Sequence, residues 1–266
     1  MTQNAAGLGP EALLLVADIG NTQIKIGVFE GTRLRFVSRM ATDLKLTDDQ
    51  MVVWAGQFLA LNGVPADQIT GGIVSSVVPS LGVVMQRAAA RLCPAEPMLL
   101  GPGVRSGLNI KIDNPAQLGS DMVAAAVAVL AKYPMPAIIF GLGTATTISV
   151  LDAAGAFRGG ALIAGVGLSL SALSAGTAQL PYIHIEPPKN AIGTNTIDCM
   201  KSGVVLGTAA ALDGMAERME EELGSPATLV ATGGYAADIV SACRRTILLD
   251  EHLILEGLRL IYEKNR

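Results

Sequence analysis

The chain contains 266 residues, of which 50% are hydrophobic, 16% are charged and 4% are aromatic. This composition excludes a disordered or fibrous protein, and the length is sufficient for two compact lobes built from aliphatic residues. The net charge of −4 excludes the basic surface that a nucleic-acid backbone requires, so we expect no nucleic-acid partner.

The first half of the chain begins with three predicted strands separated by turns. A continuous apolar run over residues 13–17 predicts a buried strand, which ends in the polar turn of residues 18–22. The later pattern predicts strands at 24–28, 34–38 and 72–78, and helices at 48–61 and 81–92. Asn114-Pro115 predicts a further helix start, because proline is favoured in the first helical turn.

The same order of elements recurs in the second half. Aligning Asp18 with Gly141 gives an offset of 123 residues, which predicts an internal duplication. We therefore place a lobe boundary near residue 134, with an N-terminal lobe over 12–134 and a C-terminal lobe over 135–266. The predicted elements of the second lobe are strands at 137–140, 146–151, 157–163 and 228–231, and helices at 196–223 and 253–263.

Two long uncharged stretches raise the question of a membrane span. Residues 134–151 contain two prolines and a glycine turn, and residues 159–183 are rich in glycine and serine. Since a spanning helix needs about 20 predominantly apolar residues, buried strands and loops fit both stretches better. The start of the chain lacks the basic residues of a secretory signal, so we expect a cytoplasmic protein without a membrane partner.

The soft metal ligands are few and scattered. Cys93, Cys199 and Cys243 are far apart in the sequence and form no CxxC pair, and the chain has two histidines. We therefore expect neither a zinc site nor a disulfide framework, and interpret the cysteines as small buried hydrophobic residues. The P-loop, GxSxG and HExxH motifs are also absent.

The segment Asp18 to Lys25 is the strongest candidate for chemistry. A carboxylate at a strand end can hold Mg²⁺ through water, and Gly20 allows backbone amides to approach a polyphosphate. Asn21 and Thr22 can donate to phosphate oxygens, and Lys25 supplies a point charge. An ordinary β-hairpin turn explains the same residues equally well, so these residues alone leave both interpretations open.

Further short motifs are distributed along the whole chain. From about residue 13 onward the sequence resembles type III pantothenate kinases, which belong to the actin-like ATPase and sugar kinase superfamily. The motifs that carry this resemblance are collinear: Asp18–Lys25, Ser75–Ser80, Gly101–Gly103, Gly107-Leu108, Asp113–Pro115, Gly119–Asp121, Gly143–Thr147, Gly159-Gly160, Thr177–Pro181, Gly193–Thr196, Ser202-Gly203 and Thr232–Gly234. The resemblance implies an α/β fold of two ribonuclease H-like or actin-like lobes. Each lobe would be a mixed sheet flanked by helices, with the nucleotide cleft between them.

The resemblance also implies an activity. A family member transfers phosphate from ATP to pantothenate, giving 4′-phosphopantothenate in the first step of coenzyme A biosynthesis, and it acts as a homodimer with Mg²⁺. Two alternatives remain open: a catalytically impaired nucleotide-binding regulatory relative, and a kinase of a different small alcohol.

Individual roles follow by matching motifs. Asp121 matches the family's proton acceptor, and its place near a helix N-terminus favours the ionised form. The implied phosphate-binding residues are Asp18 (also Mg²⁺ through water), Gly20, Asn21, Thr22, Lys25, Thr144, Gly233 and Gly234. The implied substrate-binding residues are Gly119, Ser120, Asp121, Met122 and Thr177.

Three positions depart from the family pattern. Gly141 stands where the family has an Asp that ligates a monovalent cation such as K⁺ or NH₄⁺. The segment Gly119–Met122 replaces the family's Gly-Ala-Asp-Arg, so a bidentate arginine is lost. Ile112 stands where the family has Tyr. We expect the cation ligand at Gly141 to be missing.

Overall fold

The computed structural model describes residues 12–266. The ten strands of this range are β1 (Leu13–Ile19), β2 (Gln23–Glu30), β3 (Arg33–Ala41), β4 (Ile69–Ser76), β5 (Met98–Leu99), β6 (Ala137–Leu142), β7 (Ala145–Leu151), β8 (Phe157–Ala164), β9 (Thr228–Thr232) and β10 (Leu248–Leu249). Its eight α-helices are α1 (Asp48–Leu61), α2 (Pro79–Leu92), α3 (Ser120–Lys132), α4 (Val166–Gly176), α5 (Thr196–Lys201), α6 (Gly207–Leu223), α7 (Ala236–Val240) and α8 (Leu253–Lys264). A π-helical segment, Ser202–Leu206, joins α5 to α6.

The chain divides into two compact units. The first contains the residues up to Gly107, Ala116–Ala128 and Ile254–Arg266, and the second contains Leu108–Pro115 and Val129–Leu253. The boundary that we predicted near residue 134 gives each lobe one continuous segment, whereas these units are built from three segments and two.

The first unit contains a five-stranded mixed sheet of order β3-β2-β1-β4-β5. The pairs β1–β2 and β2–β3 are antiparallel, while β1–β4 and β4–β5 are parallel. β1 is buried along its whole length, as its uninterrupted apolar sequence predicts.

The second unit repeats this sheet with order β10-β9-β6-β7-β8. The pairs β6–β7 and β7–β8 are antiparallel, while β6–β9 and β9–β10 are parallel. Each sheet is flanked by helices and has its own apolar core. The predicted duplication into two mixed sheets with flanking helices is therefore confirmed.

Local signals account for several helix boundaries. α1 begins after a capping box, in which Thr47 Oγ1 accepts from the N–H of Gln50 and Gln50 Oε1 accepts from the N–H of Thr47. α2 has Pro79 in its first turn, and α6 ends at Gly224 in the left-handed conformation.

The helix predicted to start at Asn114-Pro115 starts later. Pro115–Gln117 forms one 3₁₀ turn, and α3 begins at Ser120. Gly119 separates the two elements because the side chain of Asp121 folds back over it, and a Cβ there would lie 2.5 Å from Asp121 Oδ1.

Two further expectations differ from the structure. Residues 159–183, interpreted as strands and loops, contain helix α4, whose buried Val166 and Leu170 are spaced one helical turn apart. Cys199 is exposed rather than buried. Within residues 12–266, no helix has both the length and the apolar character that crossing a membrane requires.

The closing helix α8 packs on the first sheet from Ile254 onward. Leu255 lies beside Gly27 of β2, and Tyr262 lies beside Gly71 of β4, where any larger residue would collide with its ring. These two contacts place the end of the chain in the first unit.

Candidate active site

The turn between β1 and β2 is held by backbone and side-chain hydrogen bonds. The N–H of Gly20 donates to the carbonyl of Gln23 at 3.0 Å, and a Cβ at Gly20 would lie 3.1 Å from that oxygen. Thr42 donates from Oγ1 to the carbonyl of Gly20 at 2.7 Å and from its N–H to the carbonyl of Thr22 at 3.0 Å. The side chains of Asn21 and Thr22 are exposed at the tip of this fixed turn.

Asp18 lies one residue before the end of β1, and its carboxyl is buried. Its cross-strand neighbours are Lys25 on β2 and Ser75 on β4. Burial, and to a smaller extent repulsion from Asp121, raise its pKa to about 6 against the opposing effects of Lys25 and of Ser75. Within the described residues, Asp18 Oδ1 has no hydrogen-bond partner.

Asp121 is the second residue of α3 and acts electrostatically on Asp18. Its Oδ1 accepts a hydrogen bond of 2.8 Å from the N–H of Met122. We expected the helix N-terminus to favour the ionised form, but the pKa of Asp121 is raised, because desolvation outweighs its backbone hydrogen bonds. The two carboxyl groups therefore form an interacting pair in which both are more basic than ordinary aspartates.

Ser120 connects this helix to the end of β4. Its Oγ lies 2.9 Å from Ser75 Oγ, and it is 3.2 Å from both the nitrogen and the carbonyl oxygen of Ser76. The predicted substrate residue Ser120 thus binds the protein's own strand.

The donor set suits Mg²⁺ held through water. Among residues 12–266 there is no cluster of three or more His, Cys, Asp or Glu side chains that could enclose a metal. The unpartnered Asp18 Oδ1 offers one hard oxygen ligand, and Mg²⁺ keeps several of its own waters while binding one or two carboxylates.

The second unit brings two predicted phosphate-binding residues to the end of β6. Thr144 is exposed at the tip of the turn between β6 and β7. Gly233 has a φ of +111°, and a Cβ there would collide with the backbone of Leu142, so its glycine is required by this close approach. Gly234 faces open space.

Thr177 lies away from that turn. It caps the C-terminal end of α4, where its hydroxyl donates to the carbonyl of Leu173 at 2.8 Å. The other end of α4 follows Gly165, which closely approaches the carbonyl of Thr144. An 11-residue helix is about 16 Å long, so α4 separates Thr177 from Thr144.

Gly141 lies on β6 between Thr232 of β9 and Thr147 of β7. A Cβ at Gly141 would collide with Thr147 Oγ1, so a hydroxyl fills the space that a side chain would need. The nearby oxygens are neutral, and neutral oxygens compete poorly with water for a monovalent cation. These residues do not fit a carboxylate-bound K⁺.

Two residues of the site were missed at the level of sequence. Thr42 holds the turn between β1 and β2, and Ser75 is the cross-strand neighbour of Asp18. Ser75 carried a usable signal, because it lies within a predicted buried strand, and the carboxyl ends of neighbouring parallel strands lie at the same edge of a sheet. Thr42 carried none.

Two mixed sheets of the same strand order, each flanked by helices, define the actin-like α/β fold class. The sequence model of the family described as "Type III pantothenate kinase" matches residues 14–218. The chain belongs to this family.

Curated relatives are similar to this chain over nearly its whole length. Type III pantothenate kinases from Brevibacillus brevis and Exiguobacterium are 37% and 39% identical over 254 residues, which is 96% of this chain and 100% of each relative.

Solved structures support the fold. A Baf family transcriptional activator from Campylobacter jejuni has a TM-score of 0.60 at 18% identity, covering 94% of this chain and 98% of its own. The ethanolamine utilization protein EutJ from Carboxydothermus hydrogenoformans has a TM-score of 0.58 at 13% identity, with coverages of 96% and 91%.

Proposed function

We propose that this chain catalyses ATP-dependent phosphorylation of pantothenate to 4′-phosphopantothenate, the first step of coenzyme A biosynthesis. Family membership over nearly the whole chain supports the substrate. The observation that supports the chemistry is the interaction between two carboxyl groups, the buried Asp18 and the partly buried Asp121.

Asp121 is the proposed general base. Its raised pKa suits the role, because a carboxylate that binds a proton more readily assists proton removal better. The hydroxyl proton of pantothenate passes to Asp121, the hydroxyl oxygen bonds to the γ-phosphorus of ATP, and the bond from that phosphorus to the leaving oxygen of ADP breaks. Gly119, Met122 and Thr177 are proposed to contact the acceptor.

Asp18 is the proposed anchor for Mg²⁺ through water. When bound there, the ion neutralises charge on the β- and γ-phosphates during transfer. The fixed turn of Gly20, Asn21 and Thr22, together with Lys25, is proposed to bind phosphate oxygens. Thr144, Gly233 and Gly234 are proposed as further nucleotide contacts.

A coupled assay of ADP release tests the function directly. With MgATP, we expect ADP release to depend on added pantothenate. Release that is absent, or that is the same without pantothenate, contradicts the proposal. Activity with pantetheine but not with pantothenate favours the alternative of a different alcohol, for which the loss of arginine at Met122 is the supporting observation.

We further propose a cytoplasmic homodimer. The Ala- and Val-rich helix α3 is largely buried by the chain itself and offers little surface for a dimer. The second unit exposes Leu162 of the edge strand β8 at 70%, Leu168 of α4 at 51% and Tyr182 at 72%. A second copy of the chain is the proposed partner of these exposed apolar side chains.

Light scattering distinguishes a homodimer from a monomer by mass, and the monomer has a mass of 27.4 kDa. We expect twice that mass for the wild-type chain and the monomer mass for the double variant L162E/L168E. L44E is the matched control, since Leu44 is 70% exposed and belongs to the first unit. A monomeric wild-type chain contradicts the proposal.

A further inference from the structure

Ser120 forms hydrogen bonds unlike those of a serine that caps a helix. A capping serine accepts from a backbone N–H of its own first turn. The contacts of Ser120 Oγ go to another element: 2.9 Å to Ser75 Oγ, 3.2 Å to Ser76 N and 3.2 Å to Ser76 O. The hydroxyl of Ser120 therefore fastens the first turn of α3 to the end of β4.

Ser75 continues this connection to the buried carboxyl of Asp18. Ser75 is 0% exposed and lies directly opposite Asp18 in the parallel pair of β1 and β4. The two side chains therefore lie on the same face of the sheet, where Ser75 lowers the pKa of Asp18. Because its side chain is fully buried, water cannot replace either of its partners.

The hydrogen bonds that join Ser76, Ser120 and Ser75 can run in one direction, towards Asp18. The N–H of Ser76 can only donate, so Ser120 Oγ accepts from it. The single proton of Ser120 has two acceptors within reach, Ser75 Oγ at 2.9 Å and the carbonyl of Ser76 at 3.2 Å. When Ser120 donates to the nearer Ser75 Oγ, Ser75 can donate to the carboxylate of Asp18. At the other end of the connection, Ser120 is covalently joined to Asp121.

We propose that Ser120 is a positioning residue for phosphoryl transfer, which holds Asp121 in register with Asp18 through Ser75. The inference rests on the proposed function of the two carboxylates. Misplacement of a reacting group by 1 Å costs about 100-fold in rate.

The experiment compares S120A with S120T in the full-length enzyme, using the ADP-release assay with MgATP and pantothenate. For S120A we expect kcat to fall about 10- to 100-fold, with KM for MgATP changed by less than about threefold. S120T keeps the hydroxyl and is expected to recover kcat to within about threefold of wild type. S80A is the matched control, because Ser80 is exposed on the first turn of α2.

The double variant S75A/S120A tests whether the hydroxyls act as one unit. If they do, the double variant loses no more activity than the more impaired single variant. If the two losses multiply, the residues act independently and the proposed connection is wrong.

Further results of these experiments would overturn the proposed role of Ser120. S120A with wild-type kcat overturns the proposal, and so does an S120T variant as impaired as S120A when both melt at the wild-type temperature. If thermal unfolding shows that either variant is not folded, S75A alone decides by the same kcat and KM criteria. D121N separates this proposal from the proposed function: an active D121N overturns the base assignment, whereas an inactive D121N with a fully active S120A overturns only the role of Ser120.

Discussion

The two units contain sheets of the same strand order, but they carry different side chains at equivalent positions. In the first, the central strand carries Asp18 between Ser75 and Lys25, a row with two charged groups. In the second, the row consists of Gly141 between Thr232 and Thr147, and carries no charge.

The turns that follow these rows differ as well. Three residues, Gly20 to Thr22, join β1 to β2, whereas two, Gly143 and Thr144, join β6 to β7. Both turns are closed by an N–H of the leading glycine, at 3.0 Å in the first and 3.2 Å in the second. The shared fold therefore supplies two similar scaffolds, and the side chains assign ionic chemistry to the first.

The largest expected effect concerns the carboxylate that faces Asp18. D121N should lower kcat by about 10²- to 10⁴-fold, because an amide cannot accept the proton of the acceptor hydroxyl. Measured by ADP release, D67N should keep the wild-type rate, since Asp67 is exposed on the same unit. A D121N variant with more than about one tenth of wild-type kcat contradicts the assignment.

The next effect concerns the charge on the central strand of the first unit. D18N should weaken MgATP binding by about tenfold or more, equivalent to ~1.4 kcal/mol, because Mg²⁺ loses its anionic anchor. Calorimetric titration of MgATP measures this. Unchanged affinity together with an unchanged rate removes the assignment of the phosphate site to the first unit.

The same substitution should stabilise the ligand-free protein. The pKa of Asp18 rises from 3.8 to about 6 on folding, so the folded chain binds more protons than the unfolded chain between these values. Stability associated with this group is therefore present below pH 4 and is lost as the pH rises through about 6. At pH 8, D18N should be more stable than wild type by about 3 kcal/mol.

Urea unfolding at pH 4 and pH 8, without Mg²⁺ or nucleotide, measures this difference. The gain from D18N should shrink at pH 4, where the wild-type carboxyl is already neutral in the folded chain. A gain that is absent at pH 8, or equal at both pH values, contradicts the raised pKa.

The smallest expected effect concerns the uncharged row. Because Gly141 supplies no carboxylate, replacing K⁺ by Na⁺ or by a bulky organic cation at constant ionic strength should change the rate by less than about twofold. Strong, saturable activation of the wild-type enzyme by K⁺ would mean that another residue replaces the missing aspartate.

Restoring the charge sharpens the same comparison. G141D alone forces Thr147 to move, since its hydroxyl fills the space of the new Cβ. The double variant G141D/T147A removes that clash and should show a larger K⁺ response than G141D. T147A alone, which adds no charge, is the control and should respond as wild type does.

Much of the secondary structure was predictable, because local patterns dictate it. The apolar run of β1 and the capping residues before α1 identify both elements without tertiary information. Helix α4 was missed, because its apolar residues alternate with Gly and Ser and it has no charged residues to mark a solvent face. The matched motifs identified the site residues, whereas the contacts of Ser120 and Thr42 depend on elements distant in the sequence.

The sequence by itself determined the duplication, the family and the identity of the charged residues, since these depend on the order and type of residues along the chain. The tertiary structure decided their properties. Pairing between strands places Thr147 opposite Gly141, one residue earlier than the offset of 123 implies, because the second turn is one residue shorter. Burial also reversed the expected direction of the pKa of Asp121, since desolvation depends on what packs around a carboxyl group and not on its position in a helix.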